Sequence, residues 1–366
     1  MALGELAQAV KLGVCSMDKK MIIRARSPVR IDFSGGWTDV PLFTEEYKGF
    51  VVNAAINIYS YVSIKELSAD VISDYTKSNN TSVRIYSADF DIYEEAEEVK
   101  KLEYNGNIDL AKAAIHQVGI QGGIDIITRS DAPAGSGLGT SASMGVALIG
   151  ALSAFKGKIY LPYELADQAS LIERERLKIL GGKQDHYASA LGGINFMEFM
   201  GEEVKVSRLQ LSKSTICELE KNLVLCYTGK SRLSGNIHHK VKDAYEKKDS
   251  ETRQALKNLR SIAQEMKSAL LCGDLRAFGE LLNENWENQK ALHPSVTNSQ
   301  INEIMQLAKG NGAIGGKACG AGGGGCLLFY AKPDQEHIIR RKLEERKVRL
   351  INFNFEFDGL QIWRIV

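Results

Sequence analysis

The stretch 131–143 (Asp-Ala-Pro-Ala-Gly-Ser-Gly-Leu-Gly-Thr-Ser-Ala-Ser) has the residue types and spacing of an anion-binding turn. Gly135, Gly137 and Gly139 alternate with Ser136 and Leu138, behind Pro133, and Thr140, Ser141 and Ser143 follow. Ahead of it, residues 123–128 alternate apolar and polar with β-branched members, which predicts a half-buried strand. Behind it, residues 142–152 are small and apolar, as in a buried helix. A glycine turn from strand to helix presents backbone N–H groups without internal partners, and the helix dipole favours an anion there. Glycines let the backbone come close to that anion and adopt positive φ. The hydroxyls add ligands for phosphate oxygens or a metal ion. The loop lacks the lysine of a Walker A motif, and Thr140 stands where the dinucleotide fingerprint wants a third Gly or Ala. Taken alone, it also reads as a tight turn with no ligand.

Three other stretches carry chemistry. Residues 30–39 gather Arg30, two glycines including Gly36, the indole of Trp37, Thr38 and the carboxylate of Asp39. Sugar sites use such parts, an aromatic face for C–H groups and a carboxylate for hydroxyls; a glycine hairpin with a core tryptophan uses them too. Residues 181–187 place a glycine pair before Lys183 and Asp185 at a helix start. Asp185 is either a cap or a base held ionised by a cation, with Lys183 or Arg30 as the candidates. Residues 315–326 form a second glycine-rich loop from Lys317 through Gly320, Gly322 and Gly323. So many glycines suggest a backbone wrapped closely around something.

These stretches must be positioned by a sizeable scaffold. A chain of 366 residues exceeds the ~250–300 residues at which single cores stop growing, so two domains are expected. Hydrophobic residues at 44% and charged residues at 25% are those of a soluble globular protein. A net charge of +1 gives no basic field for nucleic acid. Six cysteines at 15, 217, 226, 272, 319 and 326 form no Cys-x-x-Cys pair, so reduced cytoplasmic thiols are expected. No apolar run approaches the ~20 residues that span a membrane. Residues 1–20 read as a leader of little structural weight, with Met1, Met17 and Met21 all open as starts. A homodimer is compatible with the chain.

In order, strands are expected over 21–33, 48–67 and 81–87, with a polar loop at 68–80. A charged, solvated segment follows at 91–103, then a helix at 110–118. A long helix is expected at 162–180, with Glu173 and Glu175 on its polar side, then a strand over 192–199. The domain boundary falls near 200. Beyond it come strands at 204–211 and 221–228, then helices at 234–248, 251–271, 274–292 and 298–309. A strand at 327–330, a helix at 334–346 and strands at 349–356 and 360–366 finish the chain.

Residues 30–39, 133–142 and 317–325, in that order, resemble the three motifs of the GHMP kinases. The resemblance runs from about residue 22 to the end. Gly-Gly-Trp-Thr-Asp and Gly-Lys-Gln-Asp look most like the subgroup of D-glycero-D-manno-heptose 7-phosphate kinases, with fucokinase domains the nearest competitor. The resemblance implies an α+β fold, with a ribosomal-S5-like N-terminal domain over 21–200 and a ferredoxin-like C-terminal domain over 201–366. It implies ATP held by the backbone of 133–141, and Mg²⁺ held by Ser141 and Glu173. Asp185 would be the catalytic aspartate and Arg30 its partner. Gly36, Trp37, Thr38, Asp39, Gly320, Gly322 and Gly323 would shape the substrate side. A substrate phosphate needs cations, and Arg232, Lys183 and Lys317 are the candidates. A binding-only sensor and an isoprenoid-type decarboxylase are the readings from another class; the intact Arg30, Asp185 and magnesium ligands argue against the first, and the sugar-like residues 30–39 against the second.

Overall fold

The computed structural model describes residues 21–67, 81–229 and 234–365. The leader, the loop 68–80 and Arg232 lie outside these residues. The first half comprises β1 (Ile22–Ser34), α1 (Pro41–Thr44), β2 (Gly49–Glu66), β3 (Val83–Ser87), β4 (Ile92–Ala96), α2 (Asp109–Val118), β5 (Ile124–Ser130), α3 (Thr140–Phe155), α4 (Pro162–Leu171), α5 (Gln184–Leu191), β6 (Ile194–Met200) and β7 (Glu203–Arg208). The second comprises α6 (Lys213–Asn222), β8 (Leu223–Tyr227), α7 (Ser234–Glu246), α8 (Ser250–Cys272), α9 (Leu275–Ala291), α10 (Ser299–Gly310), β9 (Ala313–Ala318), β10 (Cys326–Ala331), α11 (Glu336–Glu345), β11 (Arg349–Ile351) and β12 (Gln361–Ile365).

An eight-stranded sheet has the order β12-β1-β2-β5-β3-β4, with β6 and β7 continuing from the other end of β2. The 18 residues of β2 make this possible: Gly49–Ala54 pair with β6 and Ser60–Glu66 with β5, while β1 runs along the other edge. A separate antiparallel sheet has the order β11-β8-β10-β9. The burial of β1 reports its surroundings. Its first residues alternate between buried and partly exposed, and from Ser27 onward every residue is buried. Alternation is lost because α3 covers one face and the helices of the second half cover the other. One core lies between the large sheet and α2 to α5. A second, including Ile31, Phe33, Met266, Phe278 and Leu328, joins the large sheet to the second half.

Several expectations change, among them α6 at Lys213–Asn222, where a strand is expected from 221, and the strand expected over 349–356, which is only Arg349–Ile351. Strand β7 lies past the expected boundary at 200 yet pairs with β6, and β12 returns from the chain end to pair with β1. Sheet pairing therefore does not divide where the sequence turns. The segment 91–103 contains the edge strand β4, whose exposed charged side chains mask its backbone pairing with β3. The helix expected over 162–180 is α-helical only to Leu171, then widens into a π-helical turn at Ile172–Arg176. Residues 315–318, taken with the glycine loop, belong to β9, which pairs with β10; Gly315 and Gly316 sit there where α9 and the Phe329 ring leave no room for side chains.

Candidate active site

The loop after β5 folds as the glycine spacing requires. Gly139 caps α3 with φ 73°, and no side chain satisfies the first N–H groups of that 16-residue helix. Those groups are what an anion would take. Gly137 has φ 76°, and a Cβ there would come within 2.5 Å of the Cys319 carbonyl oxygen. The two glycine-rich loops thus touch backbone to backbone, and Cys326 N–H donates to the Ser136 carbonyl at 2.7 Å.

A cavity of about 440 Å³ opens at this junction. Gly135, Ser136, Gly137, Gly139, Thr140 and Ser141 line it from one side, and Gly320 and Gly322 from another. Of the other expected residues, Arg30, Gly36, Trp37, Asp39, Glu173 and Asp185 also line it. Within the first glycine-rich loop, Pro133 and Leu138 do not line it. Pro133 accepts the Ser136 N–H in a turn, and Leu138 is fully buried with its carbonyl accepting the Arg30 N–H.

Arg30 and Asp185 form a two-pronged ion pair. Arg30 Nε donates to Asp185 Oδ1 and Nη2 to Oδ2, both at 2.7 Å, and Nη1 donates to the Gly137 carbonyl at 2.6 Å. Burial works against the guanidinium charge, but Asp185 and then Asp32 outweigh it and raise the Arg30 pKa. Asp185 sits in the first turn of α5, where the helix dipole also favours a carboxylate. Each carboxylate oxygen keeps a lone pair beyond its bond to Arg30.

Glu173 comes inward from the π-helical turn, whereas Glu175 is exposed. Its carboxylate takes a short contact from the Ser141 hydroxyl and lies 2.7 Å from His186 Nε2. Burial alone would raise its pKa, but His186 and Ser141 reverse that and hold it lowered, hence ionised. Asp39 behaves oppositely. Burial first, then repulsion by Asp185, lifts its pKa from 3.8 to about 6, despite the Gln184 N–H at 3.1 Å. Gly182 makes room for it, since a Cβ there would fall 1.8 Å from Asp39 Oδ2.

Several expected substrate residues are not brought to the cavity. Lys183 turns away from Asp185 and is held by Glu202, through its carboxylate and its carbonyl. Lys317, on β9, is fully buried, 2.7 Å from Asp32 Oδ1 and donating to the Asp32 carbonyl at 3.0 Å. Thr38 is buried and ties the turn: its hydroxyl lies 2.8 Å from both the Gly35 and Phe50 carbonyls, to one of which it donates, and it accepts the Phe50 N–H. The Gly323 N–H bonds to the Val296 carbonyl, and Gly324 lines the cavity instead.

Other residues support or line the site unannounced. Asn285 and Gln289, one turn apart on α9 and both buried, reach the turn after β1 and the second glycine-rich loop: Asn285 Oδ1 accepts from Gly35 N–H at 3.0 Å, and Gln289 Nε2 donates to the Gly320 carbonyl at 2.9 Å. Their signal was in the sequence, as two amides on the face that also carries Phe278 and Leu282. Arg174, His186 and His238 also line the cavity, and no spacing marks them.

The comparisons agree with this architecture. Residues 107–193 match the GHMP kinases N terminal domain, and residues 255–349 match the GHMP kinases C terminal domain. The D-glycero-alpha-D-manno-heptose 7-phosphate kinase of Campylobacter jejuni is 33% identical, covering 94% of this chain and 99% of its own. A crystal structure described as a D-glycero-D-manno-heptose 1-phosphate kinase from Bacteriodes thetaiotaomicron superimposes with a TM-score of 0.75 at 30% identity, over 94% of this chain and 99% of that one. The bifunctional fucokinase/GDP-fucose pyrophosphorylase of Arabidopsis thaliana is 29% identical over 87% of this chain but only 31% of its own length. The chain belongs to the GHMP kinase family.

Proposed function

We propose that the protein is an ATP-dependent sugar kinase that transfers the γ-phosphoryl group to the anomeric hydroxyl of D-glycero-D-manno-heptose 7-phosphate, giving the 1,7-bisphosphate. The observation that carries this reading is the Arg30–Asp185 pair facing the unpaired N–H groups of α3 across one cavity. Phosphoryl transfer needs little covalent help from a protein; positioning and charge stabilisation supply most of the rate. The loop 135–141 cradles the ATP phosphates. Asp185 accepts the proton of the attacking hydroxyl on a lone pair that Arg30 leaves open. The new P–O bond forms as the bond to the β-phosphate oxygen breaks and ADP departs. Arg30 holds Asp185 in place and balances charge that builds on the transferred group. Asp39 receives sugar hydroxyls.

Ser141 and Glu173 fit a magnesium ion. They offer hard oxygen ligands, a hydroxyl and a carboxylate kept ionised, beside the phosphate loop. Magnesium held there would neutralise phosphate charge. Substituting Glu173 by Gln should raise the magnesium needed for half-maximal rate by about tenfold or more, the value of a charged contact.

Names of relatives favour a heptose acceptor. Arg174 is the cation for the substrate phosphate: it lines the cavity, and its contact with the exposed Glu202 carboxylate is long, at 3.4 Å, so that the guanidinium can exchange it for a phosphate. The reading includes a reducing cytoplasmic setting. Described cysteines are free thiols, and no described helix is long and apolar enough to cross a membrane. ATP consumption with heptose 7-phosphate, heptose 1-phosphate, free heptose and L-fucose tests the acceptor. Turnover of L-fucose in preference to heptose 7-phosphate would overturn it.

A further inference from the structure

His238 is absent from every motif of the sequence, yet it lines the catalytic cavity. It lies on α7, in the second half of the chain, and its ring packs on the indole of Trp37 with centroids 4.4 Å apart and planes tilted by 37°. Trp37 itself is unusual in two respects. Its backbone has φ 80°, the left-handed region that a bulky side chain rarely occupies. Its Nε1 is buried and has no hydrogen-bond partner among the described residues. A strained backbone and an unmet buried donor both cost stability, and such costs collect at ligand sites.

We propose that Trp37 and His238 form one recognition wall of the acceptor site, in which the indole N–H and an imidazole nitrogen bond an uncharged hydroxyl of the sugar. This rests on the sugar-kinase reading above and adds the element that selects the sugar. The chemistry suits a hydroxyl. Indole nitrogen can only donate, whereas a neutral imidazole both donates and accepts. Burial, with His239 adding to it, pushes the His238 pKa down to about 4, so its ring is neutral at physiological pH. A neutral ring offers no charge to a phosphate, so this wall is suited to an uncharged part of the acceptor. A site with polar groups built for one hydroxyl discriminates strongly against analogues that lack it. The arrangement also needs both halves of the chain, because Trp37 follows β1 and His238 is on α7.

The test uses the full-length protein and the acceptor that the wild type turns over best in the sugar panel, together with singly deoxygenated analogues of it. His238→Phe keeps the ring stack and removes both nitrogens; Trp37→Phe keeps an aromatic ring and removes the N–H. Each should raise acceptor KM by about tenfold, one hydrogen bond's worth, while ATP KM stays within about twofold, since the nucleotide loop is untouched. One deoxy analogue, poor with wild type, should suffer little further loss in either variant. His238→Asn, which restores a donor and an acceptor, should recover part of the affinity. A purely structural role would move ATP and acceptor KM together and lower the melting temperature. Unchanged acceptor KM in folded variants, or equal sensitivity of both enzymes to every deoxy analogue, would overturn the proposal. A wild type that prefers another sugar would overturn only the heptose assignment. One that binds no sugar at all would overturn both.

Discussion

Arg30 and Asp32 lie two residues apart on the same face of β1, and each forms a buried ion pair. Arg30 meets Asp185 from the same half of the chain; Asp32 meets Lys317 from the other half. The first pair opens onto the cavity, with the Asp185 side chain 24% exposed. The second is closed, at 0% for Lys317 and 2% for Asp32. The same chemistry therefore serves two ends. A carboxylate that keeps an accessible lone pair can take a proton, whereas one sealed against an ammonium can only brace. Lys317 braces β1 against β9, and so aligns the two glycine loops that touch at Gly137 and Cys319.

The largest expected effect breaks the open pair. Asp185→Asn should lower kcat by about 10²–10⁴-fold with ATP binding nearly intact, as for loss of a general base. Steady-state kinetics with Mg-ATP and the sugar phosphate check this, and a loss below tenfold would make Asp185 an orienting residue. Breaking the closed pair should act on stability instead. Lys317→Met leaves Asp32 buried without its cation and should cost about 3–5 kcal/mol of unfolding free energy. Adding Asp32→Asn to that variant should restore much of it, because two neutral partners remove the buried charge. Urea denaturation of the single and double variants distinguishes a brace from an incidental contact.

Asp39 sharpens the comparison because it has no cation of its own. Its folded pKa of about 6 lies above the ordinary 3.8, so the native state binds the proton more tightly than the unfolded state. Its contribution to stability is thus most favourable below pH 4 and declines as pH rises through 6, by up to about 3 kcal/mol. Asp39→Asn should flatten that decline and be more stable than wild type at pH 8, yet bind the acceptor more weakly. In the wild type, acceptor KM should rise as pH falls through about 6, where Asp39 loses its charge. Thermal melts and KM across about pH 4–8 check both signs. Asp185→Asn should shift the transition downward, since Asp185 is part of its cause.

The smallest effect concerns α9. Asn285→Ala leaves the Gly35 N–H buried without its acceptor and should cost about 1–3 kcal/mol. Equilibrium unfolding measures it. The activity loss should appear in kcat more than in ATP KM, because Gly35 borders the acceptor side.

By itself, the sequence determined the strand–glycine loop–helix unit and the helix start at Asp185. These follow from local rules: glycine spacing fixes where φ is positive, and unpaired N–H groups follow at a helix start. It also determined the family, through three short motifs in order. Only the tertiary structure decided which charges face the cavity. Lys183 and Lys317 stand beside the motifs in sequence, and both are consumed by carboxylates, Glu202 and Asp32, that local spacing does not identify. Asp32 and Lys317 are 285 residues apart. A buried ammonium must find a carboxylate or lose its charge, so packing, not neighbourhood along the chain, chose the partner. The same holds for Asn285, Gln289 and His238. Each sits on a helix whose pattern specifies a buried face, and only docking of that helix against the glycine loops and Trp37 decided what the face would touch.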